Sequence, residues 1–210
     1  MEYTEKSCRD FVSEVAGKAA VPGGGSVSAL VGALGAALGT MVANLSSHKR
    51  GWDSRWKEFS DVAEKGQSIM QQLLDLVDED TAAFDRIMDC FSMPKNTEEE
   101  KAARAAALEE ATLYAASVPL HTMETCLKAL PLAKEMAEKG NPASASDAGV
   151  AALAAFAGIR GAELNVRINA SGLKDKTPAL PLIERAAEIV REAAVLQGEV
   201  LEAVNGHIDA

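Results

Sequence analysis

Among the ionisable side chains of this chain, one aspartate is set apart by the residues around it. Phe59, Val62, Gly66, Ile69, Met70, Leu73, Val77, Phe84, Ile87, Met88 and Phe91 recur at helical spacing. A turn of about 100° per residue leaves one slot on their stripe between Val77 and Phe84. Asp80 fills it. An ionised carboxylate on an apolar stripe costs several kcal/mol of desolvation unless it is paired, hydrogen-bonded or protonated. Burial raises its pKa, and a carboxyl that titrates closer to neutrality serves as general acid or base. The competing reading is structural, an aspartate bonded to a helix end or to a buried lysine. Asp75, Asp78, Glu79 and Asp85 project elsewhere by the same geometry and are expected to be solvated.

A second group of residues suits a ligand. In Val21-Pro22-Gly23-Gly24-Gly25-Ser26 the proline donates no backbone hydrogen bond and the glycines permit a tight turn, with Ser26 placed to cap the helix that follows. Free N–H groups and the positive dipole end at such a helix start suit an anionic or carbonyl-bearing ligand. The turn has neither the Gly-Lys-Ser/Thr of a Walker loop nor the spacing of a dinucleotide fingerprint, and on its own it is equally a connector. His48, Lys49, Arg50 and Arg55 surround Trp52 and Trp56; cations beside indoles suit a carboxylated ring, against the alternative of a solvated loop with tryptophans turned inward. Asn165 and Asn169, one helical turn apart, suit a heterocycle or a buried backbone group. His121 and Glu124, also a turn apart, read as a surface pair.

Other chemistries find no support. The three histidines and the scattered Cys8, Cys90 and Cys126 form no metal-ligand spacing and no nucleophile–His–acid signature, so no metal site is expected and the cysteines are expected to be reduced core thiols. A net charge of −10 argues against nucleic acid or an anionic membrane as partner. The N-terminal residues lack the basic start and apolar run of a signal peptide, which predicts a cytoplasmic protein.

These residues need a scaffold, and the composition predicts a helical one. Aromatic residues make up 4% of a chain that is 48% hydrophobic, so alanine and aliphatic side chains must fill the core, which favours close-packed helices. The expected fold is all-α: one domain over residues 1–210, an up-and-down bundle with long central helices. Val27 to Ala43 is uncharged and rich in Gly and Ala, as expected of a helix at the centre of a bundle or in a dimer interface; it is weakly hydrophobic for a membrane span, and no second such span is expected. Cys8, Phe11, Val12, Val15 and Ala19 predict a short amphipathic helix before it. Thr97 and Glu100 form a capping box, Pro119 is expected to kink the helix it opens, and Pro131 either kinks it again or starts a short helix ending at Gly140. Ser144 to Asp147 caps a second small-residue helix that Gly172 ends. The last helix carries Leu182, Ile183, Ala186, Val190, Ala194, Leu201 and Val204 inward as an outer bundle member.

Several of these stretches, in order, resemble the cyclodeaminase domain of formimidoyltransferase-cyclodeaminase and its free-standing relatives, among them bacterial methenyltetrahydrofolate cyclohydrolases. The matching pieces are Pro22 to Ser26, the Gly/Ala helix to Met41-Val42, Val77 to Phe84, Met93 to Lys101, Ser117-Val118-Pro119-Leu120, Gly140-Asn141, Ser146-Asp147 and Asn165 to Asn169. The resemblance implies a helical subunit that forms a homodimer, a tetrahydrofolate substrate with a one-carbon unit on N5 or bridging N5 and N10, and no tightly bound cofactor. It implies Asp80 as the catalytic carboxylate, and Gly23, Gly24, Gly25, Ser26, Asp147, Asn165 and Asn169 as substrate contacts. The anionic folate tail is expected at His48, Lys49 and Arg50, with Arg167 or Lys174 as further contacts. The chain has no room for the transferase domain of the animal enzyme, so a separate formimidoyltransferase is a candidate partner. Cyclodeaminase and cyclohydrolase activity both remain open, as does a non-catalytic helical dimer that binds folate or another protein.

Overall fold

The computed structural model describes residues 2–209, and among them every regular element is helical. A short helix, α1 (Cys8–Val15), precedes five long ones: α2 (Gly24–Ser47), α3 (Trp56–Ser92), α4 (Glu98–Lys139), α5 (Ala145–Ser171) and α6 (Leu180–Ile208). Helices α2, α3, α4 and α5 form a square in which each packs against the next, and α6 covers the α4–α5 side. Neighbours in the square run antiparallel. Ser26 meets Asp80 while Thr40 meets Gly66; Glu79 meets Tyr114 while Arg55 meets Lys139; Gly24 meets Asn165 while Gly35 meets Ala151.

The small residues of α2 and α5 explain their close approach. A Cβ on Gly35 would stand 2.8 Å from the Ala151 carbonyl and the Ala155 amide, and one on Gly158 would stand 2.9 Å from the Ser28 carbonyl. Backbone here packs against backbone. Around this contact Ala29, Ala33, Ala152, Ala155 and Ala162 are buried with Leu73, Met123 and Ile159. By length and composition both Gly24–Ser47 and Pro142–Ser171 could cross a membrane, which corrects the expectation of a single such segment. About half of each apolar window (56% and 50%) is buried inside the bundle, as in core helices.

Several expectations hold. The capping box is formed, with Thr97 Oγ1 accepting from Glu100 N at 3.2 Å and Glu100 Oε2 accepting from Thr97 N at 3.2 Å. α3 buries Phe59, Val62, Ile69, Leu73 and Val77 as its stripe requires.

Others do not. α4 runs through both prolines as one helix of 42 residues, so Pro131 starts no new helix; packing on α2, α3, α5 and α6 outweighs the local cost of each imino acid. Cys8 is exposed, while Cys90 and Cys126 are buried; burial beside Gly32 and Gly158 pushes the Cys126 thiol up to about 12. Of the α1 stripe only Phe11 is buried. The inward face of α6 runs through Ala186, Ile189, Ala193, Val200 and Val204, and Ala194 points outward. Met88 and Phe91, at the end of the α3 stripe, are exposed.

Candidate active site

The first turn of α2 is where the glycine motif and the aspartate meet. The helix begins at Gly24 with Gly23 as N-cap, so Ser26 is not the cap; it lies within the first turn. Its backbone N–H and its hydroxyl both donate to Asp80 Oδ2, each at 2.8 Å. Asp80 therefore caps α2 from across the bundle, and the anion expected at this helix end is a side chain of α3. The structural reading of Asp80, a carboxylate on a helix terminus, is correct for Oδ2. Oδ1 has no hydrogen-bond partner among the described residues, and Asp80 borders a cavity of about 150 Å³.

Close approach at this point requires glycine. A Cβ on Gly25 would overlap Asp80 Oδ1, Oδ2 and Cγ, whereas one on Gly24 would lie 3.3 Å from the Asn165 amide. Burial pushes the Asp80 carboxyl above its ordinary value; the two hydrogen bonds from Ser26 oppose that shift without cancelling it. The result is a carboxyl with one oxygen anchored and its acidity reduced.

The rest of the cavity wall comes from three directions. Gly23, Gly24 and Gly25 follow Ala20 and Val21, with the Val21–Pro22 bond cis. Phe84 and Ile87 follow Asp80 on α3 at steps of four and three residues. Asn165 and Asn169 project from α5, and both are held through their amide nitrogens: Asn165 Nδ2 donates to Gly161 O at 2.9 Å and Asn169 Nδ2 to Ala115 O at 2.6 Å. The second bond has a cause in the sequence. Ala115 O would accept from residue 119 in an unbroken helix, but residue 119 is proline, so its carbonyl is left over for Asn169.

Of the residues expected at the site, Gly23, Gly24, Gly25, Ser26, Asp80, Asn165 and Asn169 are brought together. His48, Arg50 and Asp147 are not. His48 lies 22 residues beyond Ser26 on or just past the same helix, about 33 Å away at 1.5 Å per residue, and Arg50 follows it. Asp147 is about 27 Å from Asn165 along α5 by the same measure. His48 instead borders a separate groove of about 550 Å³ between α2 and α3, with Met41, Asn44 and Gln67. Trp52 stacks on Phe59 at 5.6 Å under Lys49 and Arg55, the packed alternative for that loop, while Trp56 is exposed.

Sequence reading also missed contributors. Phe84 and Ile87 were visible as the continuation of the Asp80 stripe, and Ala115 could have been found from Pro119. Asp78 and Glu79 are not simply solvated. Asp78 accepts from Tyr3 N at 2.6 Å and Thr4 Oγ1 at 2.8 Å, tying the N-terminal segment to α3, and Glu79 accepts from the Tyr114 hydroxyl at 2.7 Å. Among the described residues no group of three or more His, Cys, Asp or Glu side chains is placed to hold a metal ion.

Comparison with known proteins places this geometry in context. Residues 7–188 match the sequence model of the Formiminotransferase-cyclodeaminase family. The chain is 40% identical over 199 residues to a methenyltetrahydrofolate cyclohydrolase from Methylorubrum extorquens, covering 95% of this chain and 96% of that protein. It is 38% identical over 197 residues to the formimidoyltransferase-cyclodeaminase of Mus musculus, covering 94% of this chain but 36% of the longer mouse protein. The fold is similar to the crystal structure of formiminotetrahydrofolate cyclodeaminase from Thermotoga maritima, with a TM-score of 0.85 and 29% identity over 97% of this chain and 98% of that one.

Proposed function

The chain belongs to the Formiminotransferase-cyclodeaminase family, and from that premise we propose that it rearranges a one-carbon unit between N5 and N10 of tetrahydrofolate with Asp80 as its proton carrier. The observation that supports this most is the asymmetry of the Asp80 carboxyl: Oδ2 is anchored by Ser26, Oδ1 has no partner among the described residues, and burial weakens the acid. In the cyclodeaminase reading, N10 of 5-formiminotetrahydrofolate attacks the formimino carbon. The tetrahedral adduct carries its proton on N10 and must lose an amine. Asp80 takes the proton from N10 and returns it to the departing nitrogen, so ammonia leaves and 5,10-methenyltetrahydrofolate remains. The ionised carboxylate also offsets the cationic amidine carbon. Oδ1 of Asn165 and of Asn169, on amides already oriented through their nitrogens, accept from N–H groups of the pterin ring. The reaction as proposed uses no metal and no tightly bound cofactor.

The cyclohydrolase reading is favoured by one observation, the 40% identity to the Methylorubrum extorquens protein over nearly the whole of both chains. There water adds to the methenyl carbon, Asp80 takes one of its protons and delivers it to N5, and the remaining hydroxyl proton is released to solvent as the N5–carbon bond breaks to give 10-formyltetrahydrofolate. The two are separated by following the methenyl absorbance with each folate. With 5-formiminotetrahydrofolate a rising band accompanied by stoichiometric ammonia is expected; loss of the band from 5,10-methenyltetrahydrofolate faster than in buffer would assign the hydrolase instead. The chain spans 36% of the length of the mouse protein, and a separate formimidoyltransferase is proposed as the source of the formimino substrate.

The active form is proposed to be a homodimer joined through α2 and α5. Leu34, Met41 and Leu45 on α2, and Val150, Leu153, Leu164 and Ile168 on α5, are exposed, with Leu34 at 56% and Ile168 at 65%, although these are the most apolar helices of the chain. An apolar face of this extent on neighbouring helices is suited to a second copy. Light scattering should give twice the 22.0 kDa chain mass, and Leu34→Lys with Ile168→Lys should halve it; a monomeric wild type would overturn the assignment.

A further inference from the structure

The cavity at Asp80, about 150 Å³, is smaller than the ~300 Å³ usual for a small-molecule site. It has room for the reacting end of a folate, so the aminobenzoyl ring and the glutamate must lie outside. A groove of opposite electrostatic sign to the rest of the chain begins nearby. Lys95 before α4, Lys101 and Arg104 on its first turns, and Lys174 after α5 border a depression of about 340 Å³, with Ala105 and Leu108 between them. One lining carboxylate, Glu109, faces these four cations in a chain whose net charge is −10. Its Oε1 is engaged by the Lys174 backbone N–H at 3.0 Å, and Glu98 pairs with Lys101 at 2.7 Å. Arg104 is fixed in place: Nε donates to the Cys90 carbonyl at 3.1 Å and the guanidinium lies 5.7 Å from the Phe91 ring, while its Nη groups have no protein partner among the described residues.

Three elements lead from the cavity to this groove. On α3, Ile87 lines the cavity, and Phe91, exposed and one turn further, about 6 Å, lies beside Arg104. On α4, Ala115 lines the cavity; Leu108 and Arg104 are about 10 and 16 Å back along the helix. On α5, Asn169 lines the cavity and Lys174 follows five residues later.

We propose that this groove is the subsite for the oligo-γ-glutamyl tail of the substrate, with the aminobenzoyl ring crossing the exposed face of Phe91 between cavity and groove. The inference rests on the tetrahydrofolate reading above. Each added glutamate brings one carboxylate, which the Nη fork of Arg104 and the ammonium groups of the three lysines match in charge. It moves the tail from His48, Lys49 and Arg50, some 33 Å from Asp80, to the near end of the bundle, and of the basic residues considered from sequence it retains Lys174.

The test compares the wild type with the triple variant Lys95→Gln, Lys101→Gln, Lys174→Gln, which removes charge from exposed side chains. Substrates carrying one and five glutamates are assayed at low ionic strength, and p-aminobenzoyl-pentaglutamate is titrated calorimetrically. The variant should raise KM for the pentaglutamyl substrate about tenfold, change KM for the monoglutamyl substrate by less than about twofold, keep kcat, and weaken the fragment about tenfold. Equal effects on the two substrates, or no fragment binding to the wild type, would overturn the proposal. Fragment binding that the variant loses, in a wild type that turns over neither folate, would support the tail site and refute the reaction assigned to Asp80.

Discussion

Replacing Asp80 with asparagine is expected to lower turnover by about 10² to 10⁴ while leaving the fold intact and raising its melting temperature at pH 7. Asparagine keeps an acceptor for Ser26 N and Oγ, so the cap on α2 survives, but it cannot carry a proton. The stability sign follows from the direction of the shift. Burial holds the folded Asp80 carboxyl above its ordinary 3.8, so this group's favourable contribution is complete below that value and is lost as pH rises through the folded pKa. Above the folded pKa the wild type bears the cost of a buried charge that the variant lacks. Thermal unfolding of both proteins from pH 3 to pH 8 should therefore show a gap that opens with rising pH. The pH–rate profile of the wild type should fall on its acid limb through a pKa raised above the ordinary value of an aspartate. A variant with normal turnover and a lower melting temperature at pH 7 would make Asp80 a helix cap and nothing more.

Gly25→Ala should be nearly as damaging to activity through a different cause. Its methyl group would occupy the position of the Asp80 carboxylate, and the obstacle is a backbone-fixed atom in the first turn of α2. Either Asp80 leaves Ser26 or α2 shifts from α3, and both break the two hydrogen bonds that anchor Oδ2. A loss of about 1–3 kcal/mol in urea unfolding, typical of overpacking, should accompany a fall in kcat of two orders of magnitude or more, roughly that of losing the acid–base group. Gly24→Ala is the control: there the methyl meets the end of the Asn165 side chain, which can move by a few tenths of an ångström, so both effects should be much smaller. Equal behaviour of the two variants would show that the close approach at Gly25 does not hold the carboxylate.

Much of this site was legible in the sequence because one periodicity and one turn motif point to it. The α3 stripe singles out Asp80, and the glycine turn marks where another backbone must come close. Neither shows that they touch, since that depends on the antiparallel register of α2 and α3. The same gap misplaced His48, Arg50 and Asp147. Residues that sound chemically suitable were grouped by type, whereas an unbroken α2 and α5 put them near the opposite end of the bundle. Ser26 was assigned to capping its own helix because serine commonly does so. A carboxylate from α3 takes that role and recruits the serine hydroxyl as a donor. Lys95, Lys101, Arg104 and Lys174 lie too far apart in sequence to read as one cluster, and antiparallel packing of α3 on α4 with the α5–α6 loop beside them brings them together.

Pro119 is the least conspicuous of these features and constrains how the chain can change. A substitution that restored the missing N–H would repair α4 and satisfy Ala115 O within the helix. Ala115 O would then be shared between the new N–H and Asn169 Nδ2, and the hold on the Asn169 amide would weaken. A change that improves the helix thus degrades the site, so selection or design for thermal stability alone would tend to erode function here without touching any residue that meets the substrate.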